Sequence, residues 1–287
     1  MKRVTASVVV FNNDPVTLSK SLLSFLNSAG DTYLYLVDNS PSDHLRTLIA
    51  DPRLIYIHVG KNVGFGPGHN IAMRQSIHQA HYHLVLDPDV YFGPEVIPLL
   101  YNFMEEQKEI GLVMPKVLYP DGSLQRLCKL LPTPFTLIVR RFLRFPLLVN
   151  RINRRYELQF ADYNQIMDVP FLSGCFMFFR IEALQKVGLF DERFFLYTED
   201  IDLSRRIHMQ YRTAYYPHAL IYHFFGKAPY KNLKALLVNI QSAMAYFNKW
   251  GWFYDPEREK INRATVAKLI GKRLEVVGRR YAAVGKR

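Results

Sequence analysis

Cysteine is nearly missing from this chain. Cys128 and Cys175 are the only two among 287 residues, far apart and outside any metal-ligand spacing. That excludes a disulfide framework and a cysteine-built zinc site, and it leads us to expect a reducing compartment. Long apolar runs are missing too: no uncharged stretch reaches the ~18–20 residues of a spanning helix. No signal-peptide h-region follows Met1, since Lys2-Arg3-Val4 passes straight into a strand pattern, so a cytoplasmic protein is expected. Acid is the scarcer charge, with 25 Asp and Glu against 37 Lys and Arg and a net charge of +12. The excess is concentrated. Residues 135–155 carry Arg140, Arg141, Arg144, Arg151, Arg154 and Arg155 with no acid, and residues 258–287 carry ten Lys or Arg against Glu259 and Glu275. A basic protein invites a nucleic-acid reading. That alternative lacks any RNP-type, KH or helix-turn-helix signature, and the two patches lie away from the strand motifs, so no nucleic acid is expected as a partner.

What is present is an alternation of strands and helices. Val4–Phe11 is β-branched and apolar enough for a central strand, and Asn12-Asn13-Asp14-Pro15 closes it with helix-start signals. Leu18, Leu22, Leu23, Phe25 and Leu26 then recur on a helical period up to Gly30. Tyr33–Val37 and Leu54–His58 read as the next strands, with a short helix expected between them. A Gly-rich turn, Lys61–Asn70, leads into a helix to about His81, and His83–Leu86 is a buried strand. Helix is expected over Pro94–Lys108, and strands over Ile110–Pro115, Val169–Phe179 and Thr213–His223. The rhythm predicts βαβ units and a mostly parallel sheet. Residues 1–228 form the expected catalytic unit, interrupted by a basic, apolar insertion at 130–160, and 229–287 form a helical basic segment.

Two acidic clusters stand out. At Asp87-Pro88-Asp89 the buried strand runs out into a turn, and Pro88 keeps Asp87 from the α region, so both carboxylates stay at the strand's carboxyl end. In an open α/β sheet that end is where ligands bind. Paired carboxylates suit a divalent cation carrying phosphates, although a turn in which Asp87 caps the next element fits the same residues. The second cluster is Glu199-Asp200-Ile201-Asp202. Thr198 is a plausible N-cap, and acids in a first helical turn complement the macrodipole. This reads as a capped surface helix or, because Phe194–Tyr197 would bring the turn out of the core, as an active-site element. Gly64 and Gly66 imitate a dinucleotide fingerprint, but His69 occupies the place of the third glycine. The turn offers backbone N–H groups to a phosphate or ribose. His223 closes the last strand, where a histidine is either packed or a ligand.

The order of these motifs resembles the family 2 glycosyltransferases of GT-A fold, particularly the rhamnosyltransferase-like branch. The motifs are Val8–Asn12, Val37-Asp38-Asn39-Ser40, Asn62-x-Gly64-Phe65-Gly66-x-Gly68-x-Asn70, Asp87-Pro88-Asp89, Ser173-Gly174, Gly188–Phe195, Glu199-Asp200-x-Asp202-Leu203-x-x-Arg206 and His223. The resemblance implies a Rossmann-like three-layer α/β/α fold with C-terminal helices. It implies Mg²⁺ or Mn²⁺ held by Asp89, Asp87 and His223. Phe11, Asn12, Asp38 and Asn39 would hold the base and ribose, with Asn62, Gly64, Phe65 and Asn70 lining the same pocket. Arg206 would contact the diphosphate, Ser173 and Gly174 would lie near it and the acceptor, Asp200 would be the general base and Glu199 an acceptor contact. The branch often has Asn where this chain has Asp87. The implied activity is inverting transfer of a sugar, L-rhamnose among the options, from a dTDP- or UDP-linked donor to a lipid-linked glycan in cell-surface polysaccharide synthesis. A nucleotidyltransferase of related fold is the alternative. Val266, Leu269, Ile270, Leu274, Val277, Tyr281 and Val284 recur at helical spacing among basic residues, which is the pattern of a helix lying on an anionic membrane surface or packing its stripe on the domain. A peripheral place on the inner face of the cytoplasmic membrane is therefore expected.

Overall fold

The computed structural model describes residues 3–139, 146–224 and 233–284. Arg140, Arg141 and Arg144 of the basic insertion lie outside them, as do the side chains of Leu274, Val277, Tyr281 and Val284. Strands β1 (Val4–Val10), β2 (Thr32–Asp38), β3 (Leu54–His58) and β4 (Tyr82–Leu86) pair in parallel, in the order β3-β2-β1-β4. The sheet continues through β10 (Phe176–Arg180), antiparallel to its neighbours, then β6 (Ile110–Leu118), β11 (Arg212–His223) and the edge strand β5 (Val90–Phe92). A short strand, β8 (Met167–Asp168), pairs β11, and β7 (Cys128–Lys129) pairs β9 (Phe171–Leu172) in a separate two-stranded sheet.

Period-two alternation assigns the two faces. Val4, Ala6, Val8 and Val10 join the main core with Leu18, Leu22 and Phe25 of α1 (Pro15–Leu26), while Val9, Tyr35 and Val37 pack with Ala72 of α2 (Phe65–Ser76). Each such large apolar side chain contributes about 1.5–3 kcal/mol by leaving water. Helix α1 starts as its sequence indicates: Asp14 accepts from Thr17 N at 2.8 Å, with Pro15 in the first turn. Helix α3 (Val96–Glu106) covers β6 and β11, and α5 (Ile181–Val187) follows β10; α4 (Pro146–Tyr156) belongs to the insertion. Between the sheet and α2, Ser7 Oγ bridges His69 Nδ1 at 2.7 Å and His83 Nε2 at 2.8 Å, and burial holds both imidazoles well below their ordinary range.

Three elements differ from expectation. The segment 41–53 has hydrogen-bonded turns and no helix; Pro41 and Pro52 bracket a stretch too short to nucleate one. Helix α2 begins at Phe65, so Gly66-Pro67-Gly68 form its first turn, where proline's missing N–H costs nothing. Finally, Val169–Phe179 is not one strand. It breaks at Ser173-Gly174, because β9 pairs β7 while β10 enters the main sheet, and the Gly174 N–H is donated to Asp200 Oδ2.

The C-terminal helices α7 (Leu233–Trp250) and α8 (Pro256–Val284) grip helix α6 (Glu199–His208). Asp255 caps α8, accepting from Arg258 N at 3.0 Å, and also forms a two-pronged pair with Arg205 at 2.7 Å, whose guanidinium sits 4.0 Å from the Trp250 ring centroid. Asp202, fully buried, receives Lys249 Nζ at 2.7 Å and Trp250 Nε1 at 2.8 Å. Of the apolar stripe on α8, Leu269 and Val266 pack on the main core and Ile270 is exposed. Among the described residues no helix is long and apolar enough to cross a membrane.

Candidate functional site

The carboxyl ends of β1, β4 and β11 and the turn after β9 open onto one cleft of about 600 Å³. Asp87 leaves the centre of the sheet: its N–H donates to Cys175 O at 2.9 Å and its carbonyl accepts from Ser21 Oγ at 3.0 Å. Three residues later the chain enters β5 at the far edge, where Val90 pairs with His223 and Phe224 N donates to Asp89 O at 3.0 Å. The turn therefore brings both carboxylates to the end of the strand that carries His223. Their ligand atoms all lie within 4.8 Å of one another, with His223 Nε2 3.3 Å from Asp89 Oδ1 and 3.9 Å from Asp87 Oδ2. His223 Nδ1 faces Gln125 Oε1 at 3.0 Å. Burial pushes Asp87 up to about 7 against the opposing charge of His223. Burial pulls His223 down, but Asp89, Cys175 and Asp87 outweigh it and hold the imidazole well above its usual range. Two carboxylates and one imidazole at the wall of an open cleft fit a divalent cation that keeps other positions for water and phosphate oxygens.

Of the second acidic cluster, Asp200 stands behind the cleft wall, bonded to the Ser173-Gly174 turn, while Glu199 and Asp202 are buried. Tyr197 precedes it at φ +93°, a left-handed conformation that costs on the order of 1–3 kcal/mol for a non-glycine residue. Thr198 does not act as the expected side-chain cap: its hydroxyl donates to Ser242 O at 3.2 Å, a tie to α7. Asp200 Oδ2 accepts from Gly174 N at 2.9 Å and Oδ1 from Ile201 N at 2.8 Å. A Cβ on Gly174 would stand 3.3 Å from Asp200 Cβ, so a glycine there lets the Ser173-Gly174 turn reach the carboxylate. Burial raises both Glu199 and Asp200, Glu199 further because the Asp200 charge adds to it. Asp200's charge reaches Asp87, and the ammonium of Lys129, on the cleft wall, pulls Asp200 back down.

Of the residues expected in the site, Phe11, Asn39, Asn62, Gly64, Phe65, Asp87, Asp89, Ser173 and His223 line the cleft. Gly174 stands behind them, bonded to Asp200. Asn39 donates from Nδ2 to Gly64 O at 3.2 Å, and its buried Oδ1 has no partner among the described residues. Other residues are turned away. Asn12, at φ +54°, donates its N–H to Ser40 Oγ, and the buried Asp38 accepts from Ser40 N and Tyr56 OH. Asn70 ties Phe190 and Glu192, and Glu199 is buried with its Cβ against Gly66. Arg206 donates to Asp202 and to the carbonyls of Val187 and Leu189 and does not line the cleft. The Gly-rich turn is also less of a phosphate cradle than its composition suggests. Gly64 N is taken by Asn62 Oδ1 and Phe65 N by Phe195 O, and a Cβ on Gly64, at φ +98°, would lie 2.4 Å from that carbonyl. Lys129 and Gln125 escaped the sequence reading, since neither lies in a periodic or spaced pattern that would single it out, and Phe195, quoted there only as part of a motif, lines the cleft.

Comparison with known proteins agrees with this geometry. The sequence pattern of the glycosyltransferase-like family 2 matches residues 2–238. The low-salt glycan biosynthesis hexosyltransferase Agl10 of Haloferax volcanii is 25% identical over 202 residues, covering 70% of this chain and 60% of that protein. An N-acetylglucosaminyl-diphospho-decaprenol L-rhamnosyltransferase of Mycobacterium tuberculosis is 26% identical over 216 residues, covering 70% of each chain. The mannosyltransferase PcManGT of Pyrobaculum calidifontis, solved with GDP-Man and Mn²⁺, superposes with a TM-score of 0.57 at 14% identity, over 98% of this chain and 81% of that one. With a family match across most of its length and the GT-A fold built around this cleft, the chain belongs to the glycosyltransferase-like family 2.

Proposed function

We propose that the protein transfers a sugar from a nucleotide-diphosphate donor, with inversion, to a hydroxyl of a lipid-linked glycan during cell-surface polysaccharide synthesis, and that L-rhamnose is the sugar. The observation that carries the reading is the Asp87, Asp89 and His223 cluster on the cleft with Asp200 bonded to the Ser173-Gly174 turn of its wall, close enough for its charge to reach Asp87. Mg²⁺ or Mn²⁺ bound by Asp87, Asp89 and His223 would neutralise charge on the leaving diphosphate. Lys129, a cation on the cleft wall, takes the diphosphate role that Arg206 is turned away from. Asn39 Oδ1 is an acceptor without a partner among the described residues, which suits a ribose hydroxyl or the imide N–H of a uracil or thymine base, and the half-exposed Phe11 ring offers that base a stacking face. Asp200 takes the acceptor proton as the new C–O bond forms and the bond from the anomeric carbon to the diphosphate oxygen breaks. Attack on the face opposite the diphosphate inverts the anomeric centre.

The acceptor reading is supported by the name of the Mycobacterium relative and by a second cavity of about 850 Å³ between the insertion and α8. Leu130 and Leu131 line it, one step along the chain from Lys129, with Arg151 and Arg155 on its wall. Phe253 and Tyr254, 93% and 84% exposed, stand at the same cavity. Arginines beside exposed aromatics suit a diphosphate carried on a hydrocarbon chain at an anionic inner-membrane surface. We assign catalysis to residues 1–228, with 130–160 and 229–287 serving acceptor and membrane. The test is release of nucleotide from a panel of UDP-, dTDP- and GDP-sugars with Mg²⁺ or Mn²⁺ and short-chain prenyl-diphosphate glycans. We expect a dTDP- or UDP-sugar to be consumed and the product to carry the opposite anomeric configuration. No turnover with any donor, or retention of configuration, overturns the proposal.

A further inference from the structure

The metal-site reading leaves open which ring nitrogen of His223 meets the cation, and the surroundings of Gln125 answer it. After β6 the chain reverses through Tyr119–Leu124, with Gly122 N bonded to Tyr119 O at 2.9 Å, and Gln125 returns alongside, its N–H donated to Val117 O at 2.9 Å. The side chain is 4% exposed and ends against β11. Its amide nitrogen donates to His223 O at 2.8 Å and to Leu118 O at 3.4 Å. A flipped amide would set its oxygen against both carbonyl oxygens, so the orientation is determined by its neighbours. Oε1 is then the atom 3.0 Å from His223 Nδ1. An amide oxygen only accepts, so Nδ1 carries a proton.

We infer that Gln125 is a positioning residue that holds His223 in the Nδ1–H form, with the Nε2 lone pair presented between Asp87 and Asp89 to the cation. The inference rests on the metal-site reading. A ligating histidine depends on the acceptor at its other nitrogen for tautomer and ring angle, and losing that acceptor typically lowers metal affinity by about 10–100-fold. Gln125 does so from a segment bonded to β6 and β11, so the carbonyl of His223 and its ring are fixed by one amide.

The experiment titrates Mn²⁺, alone and with UDP, by electron paramagnetic resonance against the full-length wild type, Gln125→Leu and Asp89→Ala. A parallel ¹⁵N spectrum of the wild-type histidines is recorded with Mg²⁺. We expect Asp89→Ala to abolish binding and Gln125→Leu to weaken it about 10–100-fold. The spectrum should give a protonated Nδ1 and a Mg²⁺-shifted Nε2 on His223. If the wild type and Asp89→Ala bind alike, the metal-site reading itself fails. If Asp89→Ala loses Mn²⁺ while Gln125→Leu keeps wild-type affinity, or if His223 has a bare Nδ1, the role of Gln125 is overturned. The wild-type spectrum decides even where Gln125→Leu does not fold.

Discussion

Asp200 has an environment that suits a base. Two backbone N–H groups hold its oxygens, and burial raises it to about 6, so it is mostly ionised at neutral pH and still able to take a proton. The sign follows: the base form is lost as pH falls through about 6, so transfer should rise with pH across that value and level off above it. Asp200→Asn should retain donor binding while transfer falls by ~10²–10⁴-fold; equal rates in mutant and wild type would point to another base. Much at this scale could be read in advance. The acid spacing at the end of β4 marked Asp87 and Asp89, which the structure sets beside His223, while for Asp200 the same spacing fitted a helix cap equally well. Arg206 misled for a physical reason: Asp202 lies one helical turn before it, and the chain folds the Val187–Leu189 carbonyls over it. A contact made by a distant loop has no period in the sequence. The same holds for Lys129 and Gln125, whose surroundings come from strands far away in the chain.

Helix α6 depends on its clamp. Arg205 is 1% exposed, paired with Asp255 and stacked on Trp250, so three elements meet on one guanidinium. Truncating one member of a buried ion pair strands the other charge and costs about 3–5 kcal/mol. Arg205→Ala should therefore lower the unfolding free energy by that amount, read as a fall in the urea midpoint at an unchanged slope, and a loss under about 1 kcal/mol would mean that Arg258 suffices for Asp255. Strands and helices with strong periods, β1, β4, α1 and α3, were legible because burial alone dictates them. The break at Ser173-Gly174 was not, since it follows from a hydrogen bond to Asp200 and from two different partner strands. The helix expected within 41–53 failed although Leu45, Leu48 and Ile49 reach the core, because the stretch between Pro41 and Pro52 is too short to nucleate one.

Across the molecule, the cleft joins the two halves of the sheet: β1 and β4 on one side, β11 and β5 on the other. A ligand that needs both halves stabilises only the complete fold. Saturating Mn²⁺ and nucleotide at about 100 times Kd should add about 2.7 kcal/mol to unfolding free energy, and chelation should remove it. A melting temperature indifferent to Mn²⁺, nucleotide and chelator would contradict a cation site at this junction.

The pairing of Val90 with His223 has a consequence for synthesis. Strand β5 is made early but its ladder partner, β11, is among the last strands to leave the ribosome, so Asp89 waits at an unpaired edge until then. A nascent or truncated chain that stops short of β11 holds Asp87 and Asp89 without the strand that aligns them. On the proposed function, competence to hold donor would arrive with β11, and a chain truncated before Arg212 should show no nucleotide-sugar binding by calorimetry.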